Sequence, residues 1–296
     1  MYQHCSFPIY GTVREMTFHL SIYGRPLSQV WADSTQMLRG LSTKQVNPSD
    51  TSFQADPRFP PDKTPLWKTP LEQDGWIRAH DCIRAELDTM KTTFVRLGSK
   101  PLTDSDIRAI QAAFAVHYTH IIDHHENEDA KVMPFMSSRV KLPEKLTSDH
   151  KEMMEYLEKL VAMVNALEPR SWIKDVLGVF KTYVDLMLPH LCEEEKVALP
   201  LLRAYFTPKE FEKIISSILK ESPPLALGSF WYWLEGKRGD KSAIMKFMAQ
   251  EGIPWFVYYL VFKGQVADYE AAFVEPLKAV ETGKPWVPKP KRKLCC

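Results

Sequence analysis

The feature that most constrains this chain is a set of four amphipathic segments whose apolar stripes each carry a histidine at a core position. From residue 71, apolar side chains recur at spacings of three and four, the period of one helix face. The first stripe reads Trp76, His80, Ile83, Leu87, Met90 and Phe94, in a helix expected over about 72–97 and stopped by Gly98 and Pro101. The second, capped by Thr103 or Asp104, reads Ile107, Ile110, Phe114, His117, Ile121, His124 and Glu128. The third opens at Pro143 and reads Leu146, His150, Met153, Leu157, Leu160, Val164 and Leu167. Pro169 and Ser171 separate it from the fourth, with Val176, Val179, Tyr183, Met187, His190, Glu194, Val197 and Leu201. Similar helices with short connections predict an all-α fold, an antiparallel up-down four-helix bundle over 71–206 with additional C-terminal helices.

The polar members of these stripes define the candidate site. His124 and Glu128 are four residues apart, as are His190 and Glu194, so each pair stands on one helix face. In both segments a proline follows the glutamate by six residues, at Pro134 and Pro200. His80 and His150 add one inward imidazole each. Charged groups in a bundle interior are costly unless paired or coordinated. Satisfied core histidine is the plainer account of a single such residue, but it does not explain four histidines and two glutamates together. The expected metal ligands are therefore His80, His124, Glu128, His150, His190 and Glu194. Carboxylates can bridge two ions and imidazole suits iron, so a pair of non-heme irons is expected, with manganese or zinc as alternatives. Six protein ligands leave positions for an oxo or hydroxo bridge and for a diatomic or peroxide ligand.

Neighbouring residues receive other readings. The prolines set the register on His124 and Glu128 over His125 and Asp129. His117 reads as a core histidine, and His120 and His125 as adjacent candidates. Cys82 and Cys192 lie two residues beyond ligands and point to the opposite side, as packing residues. Glu126, Glu193 and Glu195 read as solvated faces.

The order His80, then His124 to Glu128 within HHENED, His150 within SDHKEM, and His190 to Glu194 within HLCEEE resembles the hemerythrin-like, or HHE cation-binding, domain. The resemblance covers roughly 71–206. It implies an up-down bundle around a non-heme di-iron centre, in a family of oxygen carriers, iron and oxygen sensors, and proteins handling nitric oxide or peroxide. The carriers have a second histidine one turn after the third-helix ligand, where this chain has Met154. One nitrogen ligand fewer argues against reversible oxygen transport. Pro189, directly before His190, is expected to kink the fourth helix.

The remaining chain is less regular. Residues 1–70 are rich in Ser, Thr and Pro and read as an extended or partly disordered arm. Glu15, Asp33, Asp50 and Asp56 argue against a transit peptide there. A helical, aromatic-rich extension is expected over 207–283, with Phe230 to Trp233 and Trp255 to Tyr259 as its aromatic clusters. The tail, 284–296, carries five basic groups and no acidic one, and ends Lys-Pro-Lys-Arg-Lys-Leu-Cys-Cys. Cys295 and Cys296 resemble the double-geranylgeranylation signal of Rab-type GTPases. With the basic cluster they are candidates for lipidation and for holding the chain at an anionic membrane surface. Five scattered cysteines form no disulfide framework. The longest apolar run, Ile253 to Phe262, is short of the roughly 20 residues that span a bilayer. A cytoplasmic location follows, peripheral on the cytosolic face of a membrane if the tail is lipidated.

A formal net charge of +1 provides no general attraction to nucleic acid, and basic residues are not interleaved with aromatics on one face. Three functions fit these features. The first is a sensor or handler of iron, oxygen or redox-active small molecules, with 225–282 available to a protein partner. The second is a di-iron oxidase, peroxidase or nitric-oxide-handling enzyme. The third is a membrane-associated helical scaffold with a structural metal.

Overall fold

A computed structural model describes residues 67–288 apart from Lys237, together with residues 15–16, 54–55 and Arg58. Most of the predicted arm, and Cys295 and Cys296 of the tail, lie outside the described residues. Two short pairings involve its described parts: Glu15–Met16 runs parallel to Pro169–Arg170, and Gln54–Ala55 antiparallel to Val140–Lys141. The described chain is otherwise all-α.

Helix α1, Gly75–Leu97, starts where the Asp74 carboxylate accepts from Trp76 N at 3.0 Å. It stops at Gly98, whose N–H donates to Phe94 O. Helix α2, Asp104–Asn127, starts in a reciprocal cap between Thr103 and Asp106. It runs through a π turn, Glu128–Val132, into the short α3, Met133–Ser137. Helix α4 spans Lys145–Asn165. Helix α5, Lys174–Tyr205, continues through Pro189 and Pro200 without interruption. The expected kink at Pro189 therefore does not break the helix that carries His190 and Glu194.

These four long helices lie side by side and alternate in direction. At one end His80 of α1 meets Glu128 at the close of α2, His150 near the start of α4, and Glu194 in the second half of α5. At the other end Phe94 packs edge-on against Phe180, and Gln111 Nε2 donates to Val164 O. The predicted stripes are the buried faces, except that Val179, Val197 and His124 are half-buried, with Phe180 and Ala198 taking the interior places expected of the two valines.

Helix α6, Pro208–Glu221, repeats the capping device with Thr207 and Glu210 and lays Phe211 against Trp76. A second apolar cluster, including Trp76, Met133, Met136, Leu199 and Phe211, closes the bundle at this end. The chain then forms α7, Pro224–Trp233, and α8, Lys241–Gln250. A last long helical run follows, in which π turns Tyr258–Phe262 and Glu270–Val274 flank α9, Lys263–Tyr269, and lead into α10, Glu275–Thr282. Helices α7 and α10 lie against both α1 and α2. Tyr232, Trp233, Tyr269, Phe273, Leu277 and Val280 belong to the same apolar core as Leu87, Phe114 and Met187. The C-terminal helices therefore complete this core along the α1–α2 side. The close approach of α7 to α9 requires Gly228, where a Cβ would meet the Gln265 carbonyl and lie 2.8 Å from Tyr269 Cβ.

Candidate metal centre

Six predicted residues converge between α1, α2, α4 and α5. His80, His124, Glu128 and Glu194 each offer one ligand atom within 4.8 Å of the others. Glu128, His150, His190 and Glu194 form a second such group, so the two glutamates are common to both. His80 Nε2 lies 3.4 Å from Glu194 Oε2, and His124 Nε2 3.3 Å from Glu128 Oε2. Across the centre His150 Nε2 is 3.5 Å from Glu128 Oε2, and His190 Nε2 is 3.6 Å from Glu194 Oε1. His150 Nε2 and His190 Nε2 are 3.0 Å apart, the spacing of adjacent ligands on one ion with bonds of about 2.1 Å.

A seventh residue joins them. His125 groups with His150 and His190 and stacks on the His150 ring at 4.2 Å between centroids. Both its ring nitrogens are buried without a hydrogen-bond partner. The register that chose His124 over His125 was therefore too strict. Adjacent helical residues are about 100° apart, and a centre wedged between helices can receive both. His124 lies beside the His80 ring of α1, and His125 beside the His150 ring of α4. With His125 the centre has five imidazoles, so Met154 does not leave it a nitrogen short.

The π turn after α2 belongs to this geometry. The N–H of Met133 donates to Glu128 O, which inserts one residue into the helical turn. Glu128 and Val132 then both face inward while Asp129 reaches His150.

The centre passes a chemical test for cations. His80 Nε2, His124 Nε2, Glu128 Oε2 and both oxygens of Glu194 are buried with no hydrogen-bond partner. Unpartnered carboxylates and imidazoles are expensive in an interior, and an ion that accepts their lone pairs removes the expense. The sequence model of one family, described as the hemerythrin HHE cation binding domain, matches residues 74–202. This stretch belongs to that family.

Among curated proteins, the chain is similar to F-box/LRR-repeat protein 5 of Mus musculus. The two are 25% identical over 158 residues, which is 50% of this chain and 22% of the relative. The protein of the same name from Bos taurus is 26% identical over 121 residues, 40% of this chain and 18% of the relative. The match thus spans about a fifth of the length of these relatives. No solved structure gives a significant match.

Within the hemerythrin domain, carboxylates outside the centre hold the histidine rings. His80 Nδ1 donates to Glu195 Oε1 at 2.9 Å, and Arg84 Nη1 donates to the same oxygen at 2.7 Å. His150 Nδ1 donates to Asp129 Oδ1 at 2.9 Å. His190 Nδ1 lies 3.6 Å from Asp149, which Lys145 holds together with Glu193. Protons kept on Nδ1 leave the Nε2 lone pairs directed inward. Glu195 is buried, contrary to the solvated face expected for it, and against the upward pull of burial His80 and Arg84 hold its carboxyl below the usual range. Trp76 Nε1 donates to Glu128 Oε1 at 3.1 Å and fixes that carboxylate.

The titration behaviour of these groups reflects crowding. Burial and the adjacent Glu128 push the Glu194 carboxyl up to about 8. Burial, then His150 and His80, push His190 down to about 2. Burial and neighbouring histidines also lower His124 and His125 well below the usual imidazole range. Burial pulls His80 down too, but Glu128, Glu194 and Glu195 outweigh it and raise it well above that range.

The remaining candidates lie elsewhere. His117 and His120 sit deeper, with Nδ1 atoms 2.7 and 3.1 Å from Glu86 Oε2. His117 Nε2 is 3.1 Å from the Tyr183 hydroxyl. Glu86 Oε1 accepts from Ser229 Oγ at 2.6 Å and from Tyr269 at 2.9 Å. Although burial opposes it, His120 and His117 hold the Glu86 carboxyl well below the usual range. This buried network ties α7 and α9 to the bundle and belongs to neither metal group. Cys82 is buried and its Sγ donates to Arg78 O, and Cys192 is half-buried. Both are free thiols outside the centre.

Proposed function

We propose that the hemerythrin domain holds two iron ions and that the protein senses or handles iron, oxygen or another redox-active small molecule. His80 and His124 would serve one ion, His125, His150 and His190 the other, and Glu128 and Glu194 would bridge. The observation that carries this reading is the convergence of buried, unpartnered imidazole nitrogens and carboxylate oxygens from four helices. Bound there, two irons supply a redox centre with coordination positions that protein atoms leave open to a small ligand. The chain's part is to hold these donors in place. Glu195 and Asp129 keep ring protons on the outer nitrogens of His80 and His150, Trp76 orients Glu128, and the flanking apolar clusters exclude bulk water.

The test is to load the protein with ferrous iron without oxygen and follow its visible spectrum on admission of air. Near-ultraviolet charge-transfer bands that appear once and persist support a sensor. Sustained oxygen or peroxide consumption supports the enzyme reading. A protein that takes up no iron, or that holds a single zinc in its place, returns the function to a scaffold.

Membrane attachment through the tail is part of the same proposal, supported by the run Lys289 to Lys293 before Cys295 and Cys296. Among the described residues no helix is long and apolar enough to cross a membrane. Attachment would instead be peripheral, on the cytosolic face, through lipid on the two cysteines and attraction of the basic residues to anionic headgroups. A Cys295→Ser/Cys296→Ser chain that keeps the full membrane fraction would exclude lipid anchoring there.

A further inference from the structure

The start of the last helical run carries a second apolar surface. Leu260 is 77% and Trp255 64% exposed, and Phe256, Tyr259 and Val261 are exposed beside them. The opposite side of the same turn is already filled. Tyr258 and Phe262 are buried with Ile244, Phe247 and Met248, and the Phe262 ring stacks on Trp231 at 4.0 Å. The exposed residues are therefore a separate face and not an unfinished core.

This face is preformed. Trp255 meets Phe256 and Tyr259 edge-on, at 6.1 and 6.0 Å between ring centroids. Backbone bonds from Ile253 N to Met248 O and from Val257 N to Pro254 O fix the turn that presents it. The charges within the turn have one sign, with the acidic Glu251 and Asp268 flanking it. Between Gly252 and Ala267 the sequence has one charged residue, Lys263, which is exposed. Lys241 Nζ donates to the Tyr259 hydroxyl and lies 4.8 Å over the Tyr259 ring.

We infer that Trp255, Phe256, Tyr259 and Leu260 form a wedge that inserts shallowly into an anionic lipid surface, with Lys241 and Lys263 at the headgroups. Indole and phenol rings with an apolar body and a polar tip favour the membrane–water boundary. A fully apolar tip at Leu260 enters the acyl region, and the cations at its rim complement anionic lipid. This inference rests on neither the metal nor the lipidated tail.

The test uses the full-length chain carrying Cys295→Ser/Cys296→Ser, so that no lipid is attached, and co-sedimentation with phosphatidylcholine vesicles with or without about 30% phosphatidylserine. The chain should bind the anionic vesicles, and Phe256→Ser/Leu260→Ser should reduce the partition coefficient by about tenfold or more. Neutralising Lys291, Arg292 and Lys293 to Gln should weaken binding but leave a part that depends on Phe256 and Leu260. Both wedge positions are exposed, and an unchanged circular dichroism melt confirms that the variants fold. Partitioning that does not respond to the wedge substitutions overturns the proposal. So does a wild-type chain that is dimeric in solution and becomes monomeric with Phe256→Ser/Leu260→Ser, since the face would then join two copies.

Discussion

His80 and Glu195 are joined by a 2.9 Å bond from Nδ1 to Oε1, and Arg84 Nη1 donates to the same oxygen at 2.7 Å. The imidazole that enters the centre from α1 is thereby fixed in ring angle and tautomer by a residue that does not itself enter the centre. Outer partners of this kind contribute to metal affinity through the ligand they orient. Glu195→Ala should therefore lower metal affinity by about 10–100-fold, with helical content retained. Competition with a coloured chelator measures this. An affinity equal to wild type would show that His80 needs no such support.

Glu86 is the anchor between the bundle and the C-terminal helices. Its two oxygens take Ser229 and Tyr269 on one side and His117 on the other. Removing the carboxylate leaves several buried donors without an acceptor, and Glu86→Ala should cost about 3–5 kcal/mol. Chemical denaturation gives the energy, and hydrogen exchange should show the loss concentrated in α7 and α9. A uniform loss across α4 and α5 would mean that the network does not serve this seam.

Gly228 tests the same seam without touching charge. A methyl group there must displace the Gln265 carbonyl and the Tyr269 Cβ. Gly228→Ala should destabilise by about 1–3 kcal/mol, although alanine is the better helix former. A melting temperature at or above that of wild type would contradict the packing described.

Glu210 predicts an acid-sensitive closure of α6. Arg139, then the Thr207 backbone, lower its carboxyl to about 2. A folded value below the unfolded one stabilises the protein above the unfolded value of 4.5. That contribution is lost as pH falls from there towards 2. Glu210→Gln should thus flatten the stability profile in this window and leave the difference between the two proteins constant above it. Denaturation midpoints taken across the acid range give the comparison.

How much of this was legible in the sequence depends on the range of the contact. The four stripes and the Thr103 cap follow from local periodicity and capping, and they place His80, Glu128, His150, His190 and Glu194 in the interior. His125 ranks second to His124 in the sequence because a single-face register admits only one of two adjacent histidines. Its signal was the His-His pair itself, and the π turn that widens the face has no local mark in the sequence. Glu195 was misread because it ends a run of three glutamates, which resembles a solvated surface until Arg84 and His80 are brought to it. The Glu86 network joins residues separated by 143 and 183 positions, and no pattern along the chain connects them.

The most direct test of the central claim is the metal content of the intact chain. Native mass spectrometry after anaerobic loading with ferrous iron, repeated for His124→Ala and His125→Ala, addresses both groups of ligands. Two ions per wild-type chain are expected, with weakened binding of one ion in each variant, on opposite sides of the centre. A single ion in the wild-type chain, or two ions held equally well in both variants, would contradict it.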